Sequence, residues 1–446
     1  MSELVTRIWQ RDPTVWTGQD EAKWLGWLDE PLRMREQAGE IMRVAAEARA
    51  ELSAVVLLGM GGSSLAPEVL VQTFGVEGFH VLDTTHPQAI RALEAQLDLG
   101  QTLFVSASKS GSTVETRSHT DYFWEKAPRG AQWMAITDPG SALEALARER
   151  GFRAVFAGEP TIGGRYSALS PFGMVPGALM GIDLVRLLDA AIAMGEACRR
   201  GEDNPGLELG LGWGAAWQEG RDKLCIEGGG SFGLWAEQLV AESTGKHGKG
   251  LVPAPGEPPE GPDRQAAEVA LGEPYDLGKE FFRWEFATAV AGSVLGINPF
   301  DQPNVQEAKD RTKQLLDSGD DPRLEPESSR EELFAAAKPG DYVCIQAFLP
   351  PSAANDAVIA ELVAQARAAT GCVITHGYGP RYLHSTGQLH KGGAPKGLFL
   401  QVVDDTGEEL AIPKQTFGFG RLIRAQAAGD YAALKERGLP VARIRL

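Results

Sequence analysis

Short apolar runs and amphipathic stretches alternate along most of this chain. The first fifty residues mix tryptophan and aliphatic positions with charges and are expected to be helical, and the run VVLL at residues 55–58 then meets a glycine-containing turn. Apolar strands that alternate with helices predict a parallel sheet covered on both faces. Four more strands of this sheet are expected at FHVLD (79–83), TLFVS (102–106), WMAIT (133–137) and AVFAG (154–158).

The same pattern divides the chain into three parts. Residues 1–50 form a helical segment, residues 51–200 a first α/β domain ending in a long helical run from 171 to about 201, and residues 201–446 a second α/β domain. A glycine-, proline- and acid-rich loop is expected up to about residue 273, and an exposed loop or linker near 317–330. The β/α part beyond that linker is either a third small unit or the rest of the second sheet.

Composition excludes several kinds of binding partner and indicates the cellular compartment. With 446 residues the chain can bury two or more cores, and its formal net charge of −17 would repel nucleic acid and anionic membranes. No window reaches the ~20 uninterrupted apolar residues of a membrane span, and the N-terminus lacks a signal-peptide pattern. Four cysteines without a close pair indicate a reducing compartment and argue against a zinc site, so we expect a cytoplasmic protein without a metal.

Two segments of the first unit have the same design, which is a strand, a turn rich in glycine and serine, and a helix. They read LLGMGGSSLAPEVL and FVSASKSGSTVET. In a parallel sheet such turns lie at the carboxyl ends of the strands, where backbone N–H groups and the next helix N-terminus attract an anion. The second turn adds hydroxyl donors and one lysine, namely Ser108, Lys109, Ser110, Ser112 and Thr113. It therefore predicts a binding site for a phosphate monoester.

Other interpretations of these turns explain less of the pattern. Serine and threonine are also ordinary helix N-caps, so one such turn alone would not indicate a ligand. Gly59, Gly61 and Ser64 fall one glycine short of a dinucleotide fingerprint, although Asp83 lies at a suitable distance beyond them. The segment STGKH lacks the rest of a Walker motif, and no G-x-S-x-G nucleophile elbow is present.

Six segments taken together resemble the phosphoglucose isomerase family, a member of the sugar isomerase (SIS) fold group. They read GMGGSSLAPEV, SASKSGSTVET, GGRYSALSPFG, EQLVAESTGKHGKG, NPFDQPNVQEAK and LHSTGQLHKGG, and they extend from about residue 55 to 400. The resemblance implies two parallel-sheet units of the SIS type, usually in a homodimer, with a sugar phosphate in the cleft between them. It also implies interconversion of glucose 6-phosphate and fructose 6-phosphate through an enediolate, without a metal or other cofactor.

The resemblance implies a role for each matching residue. Its catalytic set is Glu242 as the base, Arg165 facing the enediolate, His384 assisting ring opening, and Lys309 after the NPFDQP turn. Its binding set is the phosphate turn 108–113, a second contact turn with Gly62 and Ser63, and the ligand-contacting Gln302. Taken one at a time, each of these positions would be interpreted as an ordinary surface, helix-end or loop residue.

The order of the motifs departs from the family. The family's histidine motif normally precedes its lysine motif, whereas here LHSTGQ follows NPFDQP and residues 251–278 contain no histidine. A similar order occurs in the isomerase part of fused transaldolase–phosphoglucose isomerases, which this chain resembles without the transaldolase half. His390 therefore stays open as an alternative to His384.

Alternative functions also stay open. A SIS-type protein can bind a sugar phosphate as a regulator without turning it over, but it would not need Glu242, Arg165 and Lys309 together. Within the isomerase interpretation, the enzyme could accept mannose 6-phosphate as well as glucose 6-phosphate. A nicotinamide-dependent enzyme is a third possibility.

Overall fold

Helices and strands alternate throughout the computed structural model, which describes residues 2–319, 321–405 and 408–446, with the side chains of residues 2 and 305–309 outside the described part. The α-helices are α1 Ser2–Trp9, α2 Glu30–Glu51, α3 Leu65–Phe74, α4 Pro87–Glu94, α5 Val114–Lys126, α6 Ala142–Glu149, α7 Pro171–Leu179, α8 Leu184–Ala197, α9 Pro205–Gln218, α10 Phe232–Thr244, α11 Leu277–Leu295, α12 Val305–Asp317, α13 Arg330–Ala335, α14 Ala353–Thr370, α15 Gly387–Gly392 and α16 Phe419–Glu436. The strands are β1 Ala54–Gly59, β2 Phe79–Leu82, β3 Thr102–Ala107, β4 Trp133–Thr137, β5 Ala154–Ala157, β6 Lys223–Gly228, β7 Val252–Pro255, β8 Arg264–Val269, β9 Tyr342–Phe348, β10 Val373–Tyr378, β11 Gly397–Val403 and β12 Val441–Arg445.

The first sheet contains the five strands that the apolar runs predict. Its strand order is β2-β1-β3-β4-β5, and all neighbours are parallel. Val56 of the central strand β1 pairs with His80 on one side and Phe104 on the other. The predicted α/β class with parallel strands and a helical N-terminal segment is therefore confirmed.

Both faces of the central strands β1, β3 and β4 are buried, which explains why these strands are largely apolar. On one face, Leu57 and Val105 belong to the main core together with residues of α2, α7 and α8. On the other face, Val56 and Phe104 pack in a second core that includes Phe419 from the C-terminal helix α16. The C-terminal helix thus lies directly against the first sheet.

The residues after 200 form two separate parallel sheets. One has the order β7-β6-β8 and the other the order β10-β9-β11-β12. Strands β7 and β8 lie in the segment that we expected to be a loop, so that expectation was wrong. β7 reads VPAP and β8 reads RQAAEV, and neither has the aliphatic run that indicates a strand. The β/α tail forms the second of these sheets.

Two other features differ from or extend the sequence pattern. The helical run expected from 171 to about 201 is broken into α7 and α8 around Gly181, which has φ +83°. The N-terminal segment adds 3₁₀ helices at Pro13–Val15 and Glu21–Leu28 to α1 and α2. No helix in the described part of the chain combines the length and apolar character of a membrane span.

An ion pair joins the C-terminal part to the first sheet. Arg381 begins the 3₁₀ turn Arg381–His384, and its Nε and Nη2 donate to the two carboxylate oxygens of Asp83 at 2.7 and 2.9 Å. Asp83 directly follows β2 and is buried. This contact brings the histidine turn to the carboxyl edge of the first sheet, where ligands of parallel α/β sheets bind.

Candidate active site

The turn between β3 and α5 presents hydroxyl groups at a helix N-terminus. Ser108 Oγ and Thr113 Oγ1 lie 3.0 Å apart, and the Oγ atoms of Ser110 and Ser112 lie 2.9 Å apart. Gly111 has φ +68°, a left-handed conformation that suits glycine and turns the chain back toward the helix. Ser110 and Ser112 are exposed, so they are accessible to a ligand from solvent. Hydroxyl and backbone N–H groups in this arrangement can bind an anion.

Lys109 faces a different partner. Its Nζ lies 2.6 Å from Asp138 Oδ2 and donates to the backbone carbonyl of Glu159 at 2.9 Å. The positive charge of this lysine is thus paired with a carboxylate at the end of β4. The hydroxyl and backbone N–H groups are the donors that remain for an anion at this turn.

A second glycine turn touches the arginine and histidine turns. A Cβ at Gly62 would lie 2.0 Å from the carbonyl oxygen of Gly164, and a Cβ at Gly61 would lie 2.7 Å from that of His384. Neither position has room for a side chain, so both glycines are required for this approach. The adjacent Ser63 is buried. The turn Gly61–Ser63 therefore lies between Arg165 and His384.

Arg165 is held by a dense set of hydrogen bonds. It is 1% exposed, and its Nε donates to Ser243 Oγ at 2.8 Å while Nη1 donates to Gln302 Oε1 at 2.9 Å. Nη2 donates to the backbone carbonyls of Pro299 and Asp301, each at 2.8 Å. A guanidinium with this many acceptors has one fixed orientation.

Glu242 lies next to that guanidinium, close to the end of α10. Its Oε1 is 3.4 Å from Arg165 Nη1, and its side chain is 13% exposed. Its Oε2 accepts a hydrogen bond from Gln238 Nε2 at 3.1 Å. The same Nε2 donates to the backbone carbonyl of His384 at 2.8 Å, so one amide connects the carboxylate with the histidine turn.

His384 points its ring toward helix α5, which follows the turn 108–113. Its Nε2 lies 2.8 Å from Glu115 Oε1, and its side chain is 16% exposed. Glu115 is buried in the first turn of α5, which begins directly after Thr113. Because a carboxylate accepts the proton of Nε2, the ring's other nitrogen, Nδ1, faces elsewhere, and it makes no hydrogen bond with any described residue.

His390 lies in the core behind the histidine turn. It is 5% exposed, its Nε2 is 3.6 Å from Cys344 Sγ, and its ring packs against Phe399. Burial, reinforced by the neighbouring positive charge of Lys391, lowers the pKa of His390 to about 3. Of the two candidate histidines, His384 is the one whose backbone carbonyl is joined to Glu242, through the Gln238 amide.

Lys246 supports the turn that holds Arg165. Its buried Nζ donates to the carbonyl of Asn298 at 2.7 Å and to the carbonyl and carboxylate of Asp301 at 2.6 Å each. Burial, together with the nearby charge of Arg165, lowers its pKa to about 8. This lysine ends the STGK part of the glutamate motif.

The structure thus brings most of the sequence candidates together within one chain. Arg165, Glu242, Gln302, His384 and the turn 61–63 are in contact or joined through one side chain, and the turn 108–113 leads to Glu115. Lys309 follows the NPFDQP turn in α12, but its side chain lies outside the described residues.

Sequence reasoning missed four residues of this site. They are Glu115, Gln238, Ser243 and Lys246. Three of them belong to the same segment as Glu242, so helical spacing within EQLVAESTGK was an available signal. Glu115 had none, because it lies 269 positions from its partner His384.

The parallel sheets, with glycine- and serine-rich turns at the carboxyl edge of the first one, define an α/β protein with the SIS-type fold. Two solved structures share the fold. One is a glucose-6-phosphate isomerase from Chlamydia trachomatis, with a TM-score of 0.55 and 20% identity over 71% of this chain and 78% of that one. The other is a hypothetical protein from Thermus thermophilus, with a TM-score of 0.51 and 23% identity over 100% of this chain and 82% of that one.

Sequence comparison finds similarity to one family. The phosphoglucose isomerase model matches residues 32–211. Two glucose-6-phosphate isomerases, from Synechococcus sp. and Thermus thermophilus, are 36% and 42% identical over 215 and 176 residues, or 43% and 37% of this chain. A glucose-6-phosphate isomerase from Carboxydothermus hydrogenoformans is 27% identical over 72% of this chain and 89% of its own length.

Residues 32–211 match the phosphoglucose isomerase family model, and the chain has the SIS-type fold, as the motifs indicated. The aligned stretches cover 40% and 42% of the length of the Synechococcus and Thermus relatives.

Proposed function

We propose that this protein is a glucose-6-phosphate isomerase that interconverts glucose 6-phosphate and fructose 6-phosphate. The observation that carries the proposal is the meeting of Glu242, Arg165 and His384 from three distant segments. The Gln238 amide joins Glu242 to the histidine turn, and Arg165 lies 3.4 Å from the same carboxylate. A base, a fixed cation and an acid–base group are what aldose–ketose isomerisation needs.

The phosphate group binds at the turn 108–113. Its donors are the hydroxyls of Ser108, Ser110, Ser112 and Thr113 and the backbone N–H groups at the start of α5, because Lys109 is paired with Asp138. The helix N-terminus adds a favourable partial charge. Anchoring the distal phosphate places the other end of the sugar against Glu242, which lowers the entropic cost of reaction.

Ring opening comes first, because hexose phosphates in water are mostly cyclic. His384 exchanges a proton with the ring through Nδ1, while Nε2 stays bonded to Glu115. Lys309 keeps the supporting acid–base role that its sequence position implies.

Glu242 then moves the proton between C2 and C1. Its carboxylate takes the proton from C2 of the open aldose, which leaves an enediolate with its negative charge on O1, and it returns that proton to C1. The proton of the O2 hydroxyl passes to O1 as the C2 carbonyl forms. Arg165 offsets the negative charge that develops on the two oxygens in the enediolate. Positioned acid–base groups of this kind contribute roughly 10²–10⁴ in rate.

Gln238 and Gln302 contact the sugar. Gln238 is 4% exposed, and its Oε1 has no hydrogen-bond partner among the described residues, so a substrate hydroxyl is a fitting donor for it. Gln302 is an exposed residue whose Oε1 accepts from Arg165.

We further propose a cytoplasmic homodimer with the three-part domain division given by the sequence. Four free cysteines agree with a reducing compartment. Light scattering coupled to size-exclusion chromatography measures the oligomeric state directly.

The proposal is tested by assaying the purified protein for conversion of glucose 6-phosphate to fructose 6-phosphate in EDTA, with no added cofactor. The account expects turnover in both directions. Binding of the sugar phosphate without turnover would favour a regulatory protein and contradict the proposal.

A further inference from the structure

A buried glutamine from the C-terminal helix completes the support of His384. Gln426 lies in α16 and is 3% exposed. Its Nε2 donates to Glu115 Oε1 at 2.7 Å, the same oxygen that lies 2.8 Å from His384 Nε2. Resting on the isomerase function above, we propose that Gln426 is a positioning residue: by holding Glu115, it fixes the ring of His384 for opening the sugar.

Only one orientation of the Gln426 amide is compatible with its neighbours. The hydroxyl of Thr85, which is fully buried, donates to Gln426 Oε1 at 2.7 Å. Turning the amide over would place its oxygen 2.7 Å from the carboxylate oxygen of Glu115, and two acceptors at that distance repel each other. Thr85 and Glu115 together therefore fix the orientation of the Gln426 amide. The amide in turn holds Glu115 Oε1 in place.

The consequence is a defined tautomer of His384. Glu115 Oε1 is held in place and accepts a hydrogen bond from His384 Nε2. The proton of the neutral His384 ring therefore resides on Nε2, and Nδ1 carries the free lone pair. The three supporting residues come from the segment after β2, from α5 and from α16, so the ring is fixed against the first sheet. A shift of Glu115 would rotate the ring away from its reactive geometry.

A purely structural role makes a different prediction. A buried amide that only satisfies neighbouring polar groups stabilises the fold without affecting the ring-opening step. Gln401 is a matched control, because it is 1% exposed, donates to the carbonyl of Ala427 in α16 at 3.0 Å and accepts from Arg443 Nε at 2.7 Å. It satisfies buried groups next to the same helix without touching Glu115.

The experiment compares Gln426→Met with Gln401→Met, since methionine keeps the length of the side chain without its hydrogen bonds. For each we would measure the unfolding temperature, kcat and KM for glucose 6-phosphate, and the inhibition constant of an open-chain aldonic acid phosphate that mimics the enediolate. We expect Gln426→Met to lower kcat by roughly 10- to 100-fold, the scale of a misplaced catalytic group. The inhibition constant of Gln426→Met should stay within about two-fold of that of the unaltered protein, because the inhibitor needs no ring opening. Gln401→Met should keep the kcat of the unaltered protein.

The outcomes separate this inference from the proposed function. Absence of turnover in the unaltered protein would contradict the isomerase assignment. Turnover that is equally sensitive to Gln426→Met and Gln401→Met would overturn the positioning role alone. A readout independent of activity is the ¹⁵N spectrum of the His384 ring, assigned with His384→Leu. The Nε2–H tautomer is expected in the unaltered protein and a mixture in Gln426→Met, and an unchanged spectrum would overturn the inference.

Discussion

At the scale of single residues, the surroundings of the two candidate histidines decide between them. Each ring has one nitrogen without a described partner, but the His384 side chain is 16% exposed and its other nitrogen lies on a buried carboxylate. His390 is 5% exposed and packs among Cys344, Tyr382 and Phe399. A ring that exchanges protons with a substrate needs a free nitrogen and access to it. His384 has both.

Replacing each histidine by leucine tests this assignment. His384→Leu should lower kcat for glucose 6-phosphate by roughly 10²–10⁴, the usual contribution of an acid–base group. His390→Leu should leave kcat within about three-fold, because an apolar side chain suits its buried, aromatic surroundings. Steady-state kinetics on both variants gives the answer, and a larger loss in His390→Leu would reverse the assignment.

Lys246 predicts a pH dependence of stability. Its pKa is lowered from 10.5 to about 8 in the folded state, so between these values the unfolded chain binds one more proton than the folded one. Raising the pH in this range therefore increases the free energy of unfolding, and Lys246 contributes up to about 1.4 kcal/mol per pH unit. Denaturant unfolding at pH 7.5 and 9.5 should show the unaltered protein gaining stability relative to Lys246→Met, and a constant difference would refute the account of this lysine.

At the scale of elements, close approach of the turns makes the site. The turn Gly61–Ser63 reaches the turn Gly164–Tyr166 only because position 62 has no side chain. The same holds for Gly61 and the histidine turn. The approach of these turns therefore depends on contacts between backbones.

Gly62→Ala should consequently damage the site more than the fold. The added Cβ would lie 2.0 Å from Gly164 O, so the two turns must separate, at a cost of about 1–3 kcal/mol. We expect kcat/KM to fall by at least about ten-fold while circular dichroism stays that of the folded protein. Gly39→Ala is the control, because a Cβ there meets nothing within 4 Å, and equal activity of the two variants would argue against the role of Gly62.

The elements differ in how well the sequence predicts them. Strands β1 to β5 and β6 are evident because they are apolar and bounded by turns. β7 and β8 are not evident, because β7 contains two prolines and β8 is partly polar, so neither has the apolar run that predicts a strand. Their backbones nevertheless pair with β6.

The site shows the same division. The family resemblance points to Glu242, Arg165 and the turn 108–113. No local pattern, however, links Glu115 to His384, or Gln426 to Glu115, 311 positions away. Such pairs exist only once tertiary packing has formed.

At the scale of the whole molecule, the C-terminal tail supplies the histidine that the middle of the chain lacks. The tail forms its own sheet, α16 packs on the first sheet, and Arg381 is paired with Asp83. Glu242 and His384 are therefore brought together within one chain, whatever its oligomeric state.

Hybrid complementation tests this arrangement. Glu242→Gln and His384→Leu chains would be unfolded together, refolded as a mixture and assayed. If both residues act in the same chain, every chain in the mixture lacks one of them, and the activity should equal that of the separate variants. Clear recovery of activity would mean that a site combines residues from two chains.

The central claim is that Glu242 is the base of a sugar-phosphate isomerase. The most direct measurement compares the unaltered protein with Glu242→Gln for isomerisation of glucose 6-phosphate and, by calorimetry, for binding of the open-chain inhibitor. The account predicts turnover only in the unaltered protein, with a loss of at least about 10³-fold in the variant and retained binding in both. Turnover that survives in Glu242→Gln would contradict it.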